Sequence, residues 1–143
     1  MARIDKSALT KIEIVQEASK QFLEKGYSHT TLAAISKELD MSPGNLTFHF
    51  PTKEHLLAEL VEMLCDFRQV LLEEEVAEGT SSLMAYCLEL VTTAAACDQD
   101  DVAKDFFLSA YRSQATMEML RKRDKMRSKE MFQAFCPDWT DDR

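Results

Sequence analysis

The sequence predicts an all-α chain, and three observations carry that expectation. Only three glycines and three prolines occur in 143 residues, and each stands where a helical reading places a break. Apolar residues recur at three- and four-residue spacing along most of the chain. No stretch alternates polar and apolar residues between turn signals, so strands are not expected.

A first helix is predicted over residues 6–25. Ile14, Ala18 and Phe22 follow at four-residue spacing with Val15 alongside. Gly26 then ends the helix, because glycine reaches the left-handed conformation of a C′ residue without steric cost. A short second helix is predicted over residues 31–39, capped by Thr30 and turning Leu32, Ile35 and Leu39 inward. Only Asp40 and Met41 separate it from a third, which starts at Pro43 with Ser42 as its N-cap. Proline suits that first position because its missing N–H would have no intrahelical partner there. The third helix ends near Phe50, since Pro51 forbids continuation.

A long fourth helix is predicted from an N-cap at Thr52 to a stop at Gly79. Leu56, Leu60, Leu64, Phe67 and Leu71 recur along it, and about 25 residues at 1.5 Å each make a rod of roughly 37 Å. Three more helices are predicted over residues 81–97, 101–113 and 116–135. The first carries Leu83, Cys87, Leu90, Val91 and Ala94 on one side; the second carries Val102, Phe106 and Ala110 behind an acidic start that suits a helix N-terminus. The apolar line of the last, Met117, Leu120, Met131 and Phe135, is broken by Asp124 and Ser128, which predicts a partly exposed element.

Composition bounds the function. Hydrophobic residues make up 45% and charged residues 29%, as in soluble globular proteins, and no apolar run approaches the ~20 residues that cross a bilayer. The N-terminus lacks the apolar core of a signal peptide, so a cytoplasmic, non-membrane protein is expected. Cys65, Cys87, Cys97 and Cys136 form no Cys-x-x-Cys pair, and are read as reduced core thiols. No nucleophile–base pair, metal cluster or phosphate-cradling glycine loop is found, so neither an enzyme nor a cofactor is expected.

The net charge of −8 divides unevenly. Residues 1–55 hold seven basic and seven acidic residues, whereas residues 56–143 hold ten basic and eighteen acidic. His29, His49 and His55 all fall in the neutral part, which can approach a polyanion while the acidic part faces away.

Two short helices joined by a tight turn and braced by a longer one give the helix-turn-helix plan, in which the second short helix enters the major groove of DNA. In that helix Gly44, Asn45, Thr47 and His49 alternate with Leu46, Phe48 and Phe50, so small or hydrogen-bonding groups are available to bases. Phe50 reads as core. Phe48 stays open between core and contact, and packing or capping stands as the alternative for His49.

Three motifs sharpen this reading: Phe22-x-x-x-Gly26-Tyr27, then Thr30-Thr31-x-x-x-Ile35, then the run Ser42-Pro43-Gly44-Asn45-Leu46-Thr47-Phe48-His49-Phe50-Pro51-Thr52-Lys53-Glu54. Over residues 8–66 the chain resembles the N-terminal domain of TetR-family (tetracycline-repressor-like) bacterial transcriptional regulators. The resemblance implies that Gly44 lets the backbone approach the groove and that Thr47, Phe48 and His49 face base edges or phosphates. It implies further that Thr31 and Asn45 bond phosphates and that Lys53 pairs with one, with Ser42 and Pro43 completing the DNA-binding set. Phosphate contacts position such a protein, and base contacts specify the sequence. This chain has Thr47-Phe48 where the family often shows Tyr-Tyr, and Pro43 at a position often basic. Sequence reading is therefore expected to lean on the Thr47 methyl against thymine and on DNA shape.

The same resemblance implies a repressor that binds a palindromic operator in double-stranded DNA, is released by an unnamed small-molecule effector, and forms a homodimer through C-terminal helices. The expected architecture is an N-terminal three-helix helix-turn-helix DNA-binding domain at residues 6–66, a long connecting helix, and a helical ligand-binding and dimerisation body at residues 67–143. The body is expected to be truncated at its C-terminus. Met63, Met84, Met117, Met119, Met126 and Met131 with Phe106, Phe107 and Tyr111 form either a plain core or an adaptable apolar cavity, the plain core being the simpler reading. The run from Arg121 to Lys129, six basic residues against one acidic, is read as a solvated helix face. The alternative for the whole chain is a helical protein-interaction module of the same fold that has lost specific DNA binding.

Overall fold

A computed structural model describes residues 6–77, 82–136 and 138. These described residues form seven helices: α1 (Lys6–Lys25), α2 (Leu32–Glu38), α3 (Pro43–His49), α4 (Lys53–Ala77), α5 (Ser82–Gln99), α6 (Asp101–Arg112) and α7 (Gln114–Phe135). No strand occurs among the described residues. The all-α expectation holds, and the helix-turn-helix head carries a helical body. Gly79, where the fourth helix was expected to stop, lies outside the described residues.

The end of α1 explains a correction to the second helix. Gly26 adopts φ +86°, turning the chain back under α1. Thr30 is drawn into this closure: it is buried, and its hydroxyl donates to the Gly26 carbonyl at 2.9 Å and more weakly to that of Gln21 at 3.3 Å. The cap of α2 is thus Thr31, whose Oγ1 accepts from the Ala34 amide at 3.1 Å. Both threonines are chemically able to cap, and the fold of the preceding turn decides between them.

The turn between α2 and α3 is as tight as the spacing predicts. Asp40 sits in the left-handed region at φ 49°, its amide donating to the Lys37 carbonyl at 3.2 Å while the Met41 amide reaches back to Ser36 at 2.9 Å. These two bonds close α2 in the Schellman pattern, with Asp40 where glycine is commonest. α3 then begins as expected, with Pro43 at its first position and the Ser42 hydroxyl accepting from the Asn45 amide at 3.2 Å.

Two apolar clusters hold the molecule together. Ile14, Val15 and Ala18 of α1 meet Ile35, Leu46, Phe50 and Leu56, which fixes the three-helix head. Phe22, Tyr27, Leu57, Val61 and Ala110 form the second cluster, with Phe106, Met119 and Leu120 packed against it. Leu56 and Leu57 are neighbours on α4 yet feed different clusters, so α4 is the beam between head and body. Each large apolar side chain buried in this way contributes roughly 1.5–3 kcal/mol.

The body departs from expectation in three respects. Cys87 and Cys136 are exposed, and only Cys65 and Cys97 are partly covered, so the thiols are not core residues. Met63, Met84, Met126 and Tyr111 are likewise exposed rather than packed in a plain core. These side chains stand on faces of α4 to α7 that no described helix covers. The basic run of α7 is more than a solvated face: Arg123 bonds Asp66 of α4 at 2.5 Å, and Arg127 bonds Glu89 of α5 at 2.7 Å while lying 5.0 Å from the Tyr86 ring. The arginines alternate with lysines so that two of them reach the neighbouring helices, while Arg121, Lys122 and Lys125 stay in solvent. The expected partial exposure of α7 is observed, with Met117, Leu120 and Met131 half-buried and Phe135 exposed.

Candidate nucleic-acid interface

The placement of α3 follows from two anchors. Leu46 is fully buried and Phe50, the C-cap, is nearly so, which fixes the rotation of the helix on the head. Successive residues turn by 100°, so the side of α3 opposite Leu46 carries Gly44 and Phe48, with Asn45 and Thr47 on either side of them and His49 nearer the head. Phe48 is 79% exposed, which resolves it as a surface residue and confirms Phe50 as core. Its ring meets that of His49 edge to face at 5.3 Å, and His49 is half-buried. Beside His49 a cavity of about 330 Å³ runs along the start of α4, between the end of α3 and the start of α7, lined among others by His49, Phe50, Glu54, Ala58 and Met119.

The polar groups on this surface are partly engaged. Thr47 turns its hydroxyl back along the helix, donating to the Pro43 carbonyl at 3.0 Å and to that of Gly44 at 3.2 Å. The oxygens of Thr31 and Ser42 accept backbone amides, which leaves the hydroxyl proton of each available to an outside acceptor. Gly44 is required by nothing in the chain: a Cβ there would meet no heavy atom within 4 Å. Thr31, Pro43 and Asn45 are exposed.

Lys53 is the residue whose surroundings differ most from the sequence reading. Its ammonium donates to the carbonyls of Tyr27 and Thr30, both at 2.9 Å, and lies 4.1 Å from the centre of the Tyr27 ring. The first turn of α4 is thereby tied to the connection between α1 and α2. Two of the three ammonium protons are taken, and one remains. Burial, with the carboxylates of Glu54 and Asp105 adding to it, pushes the Tyr27 phenol up to about 12, so the ring beneath the ammonium is neutral.

Sequence spacing gave no sign of one further contact. Asp105 of α6 accepts a hydrogen bond from the Ser28 amide at 2.7 Å and another from the Ser28 hydroxyl. The oxygen that accepts the amide sits 2.9 Å from where a Cβ of Gly26 would be, so the positive φ favours glycine there and a side chain would push the Asp105 carboxylate off Ser28. Asp105 lies one residue off the Val102, Phe106, Ala110 line, and no local pattern marks a partner 77 residues away.

Among the described residues no group of three or more His, Cys, Asp or Glu side chains could hold a metal ion, and no helix is long and apolar enough to cross a membrane.

Comparison with known proteins agrees with this geometry. Residues 14–60 match the family described as bacterial regulatory proteins, tetR family. The HTH-type transcriptional regulator QacR of Staphylococcus aureus is 40% identical over 53 residues, covering 37% of this chain and 28% of that protein. The uncharacterised HTH-type transcriptional regulator YuxN of Bacillus subtilis is 32% identical over 77 residues, covering 54% of this chain and 26% of that protein. The matches thus span less than a third of either curated relative. Among solved structures, FadR of Thermus thermophilus, described as a TetR family transcriptional repressor in complex with lauroyl-CoA, superposes with a TM-score of 0.57 at 21% identity, over 88% of this chain and 60% of that one. A transcriptional regulator from Aquifex aeolicus gives 0.56 at 25% identity, over 90% and 74%.

Proposed function

We propose that this chain, whose residues 14–60 match the tetR family of bacterial regulatory proteins, is a sequence-specific DNA-binding repressor released from its operator by a small-molecule effector. The observation that carries the DNA-binding part is α3. It is anchored by Leu46 and Phe50 yet leaves Gly44, Asn45, Thr47 and Phe48 exposed, as a helix that enters a major groove must.

The roles follow from which atoms are free. Thr31 and Ser42 donate their remaining hydroxyl protons to phosphates, and Asn45 and the third proton of Lys53 do the same. Pro43 and Gly44 keep the start of α3 slim enough to approach the groove, and Thr47, Phe48 and His49 face base edges. Phosphate contacts of this kind supply affinity that falls with salt, and base contacts supply discrimination.

The division of labour lies near residue 66, within α4, with residues 6–66 binding DNA and residues 67–143 forming a regulatory body. A cavity of about 270 Å³ between α4 and α7, lined by Cys65, Leu120 and Met126 and by Arg68, Arg123 and Arg127, supports a small-molecule site in that body. The working form is a cytoplasmic homodimer on a palindromic site, since two copies related by a two-fold axis read two equivalent half-sites.

The test is a gel shift of the full chain against the region upstream of its own gene, with random DNA as competitor, at physiological salt. A shift that survives the competitor is the expected result. A protein-interaction module that has lost DNA binding gives none.

A further inference from the structure

The centre of the exposed face of α3 is made of carbon. Gly44 offers no side chain, and the space beside its Cα is open. The Thr47 hydroxyl spends its one proton on the Pro43 and Gly44 carbonyls, so this residue has no donor left and presents its methyl beside an oxygen that can only accept. Phe48 holds out an exposed aromatic ring that meets the ring of His49 edge to face. Of the hydrogen-bonding side chains, Asn45 stands across Gly44 and Phe48 from Thr47, and His49 is half-buried.

The major-groove edges of the four base pairs differ mostly in donors and acceptors, which a carbon surface cannot distinguish. One feature of that code is apolar: the methyl group at C5 of thymine. The same methyl stands at the same place on 5-methylcytosine, whose exocyclic amine replaces the O4 acceptor. The Phe48 ring and the Thr47 methyl carry neither donor nor acceptor, so their contact senses the methyl and is nearly blind to that exchange.

We propose that α3 reads the C5-methyl group of a pyrimidine through Thr47 and Phe48, so that it separates methylated from unmethylated pyrimidines more sharply than thymine from cytosine. The ligand class is duplex DNA carrying thymine, or cytosine methylated at C5, at the contacted step. The inference rests on the DNA-binding reading above and deepens it. Asn45 pairing with an adenine edge is the competing mode, and it predicts no response to the methyl.

The experiment starts from a duplex selected out of a randomised library by the full chain. Each thymine of the selected duplex is replaced in turn by uracil, by cytosine and by 5-methylcytosine, with guanine opposite the two cytosines, and binding is followed by fluorescence anisotropy. At one or more positions thymine and 5-methylcytosine should bind alike, with uracil and cytosine each weaker by roughly threefold to tenfold, the scale of one methyl group removed from water. Thr47→Ser, which deletes only the methyl, and Phe48→Ala should both shrink this difference while leaving the helical circular dichroism unchanged. The proposal is overturned if uracil matches thymine at every position, or if thymine and uracil together outbind both cytosines. It is overturned equally if both variants keep the full uracil penalty. A library from which no sequence is enriched would instead defeat the DNA-binding reading itself.

Discussion

Asp105 clasps Ser28: one carboxylate in the body accepts both the amide, at 2.7 Å, and the hydroxyl of a residue in the turn between α1 and α2. With Ala110 and Phe106 packed on Phe22 and Tyr27, this joins α6 to the head by both polar and apolar contacts. Head and body therefore share a joint that neither contains alone.

That joint should be sensitive to acid. Burial pushes the Asp105 carboxyl up, but the two hydrogen bonds from Ser28, helped by the charges of His29 and Lys53, outweigh it and hold the group below its ordinary value. A depressed carboxyl contributes stability that is fully present above the unfolded value, near 4, and is lost as the pH falls through the lower native one. Asp105→Asn should cost about 1–2 kcal/mol at neutral pH, reduced from the fully buried case by partial exposure. Urea unfolding of both proteins between pH 7 and pH 3 checks this: the gap should narrow as acid is added, and a gap that widens would contradict the assignment.

Lys53 should show two separable effects. Lys53→Met keeps the apolar stem but takes the ammonium from the Thr30 carbonyl and leaves the Tyr27 carbonyl with the Thr30 amide alone, costing roughly 1–3 kcal/mol of stability. It also removes the third proton, so the slope of log affinity against log salt should fall by about one on operator and random DNA alike. A loss of stability with an unchanged slope would make this lysine a brace between α1 and α4 that does not reach phosphate.

Asp40 holds a left-handed conformation that most side chains resist. Asp40→Gly should stabilise the head by up to about 1 kcal/mol, and Asp40→Val should destabilise it by about 1–2 kcal/mol. The measurement is the urea midpoint with its slope unchanged, since a shift in slope would report a change in compactness instead.

Much of the head was legible in the sequence because its signals are local. Gly26, Pro43 and Pro51 punctuate α1 and α3 where the spacing of Ile14, Ala18 and Phe22 and of Leu46 and Phe50 says they should. Thr30 and Thr31 show where locality fails, for the cap passes to the second once the closure of α1 claims the first. The Lys53 ammonium and the Asp105 carboxylate meet partners 23 to 26 and 77 residues away, and such contacts exist only after the helices have docked. The exposed methionines and cysteines of the body were illegible for another reason: helical periodicity says which residues share a face, not whether another element covers it.

The two glycines of the head, one after α1 and one in α3, would score very differently in a saturation library. Selected for intracellular abundance, position 26 should disfavour most other residues, because a side chain is strained at its positive φ and a Cβ would displace the Asp105 carboxylate. Position 44 should look permissive in the same screen, and any intolerance that emerges when the selection is switched to promoter occupancy must come from a molecule outside the chain. The contrast between the two screens gives a genetic footprint of the partner before the partner has been isolated.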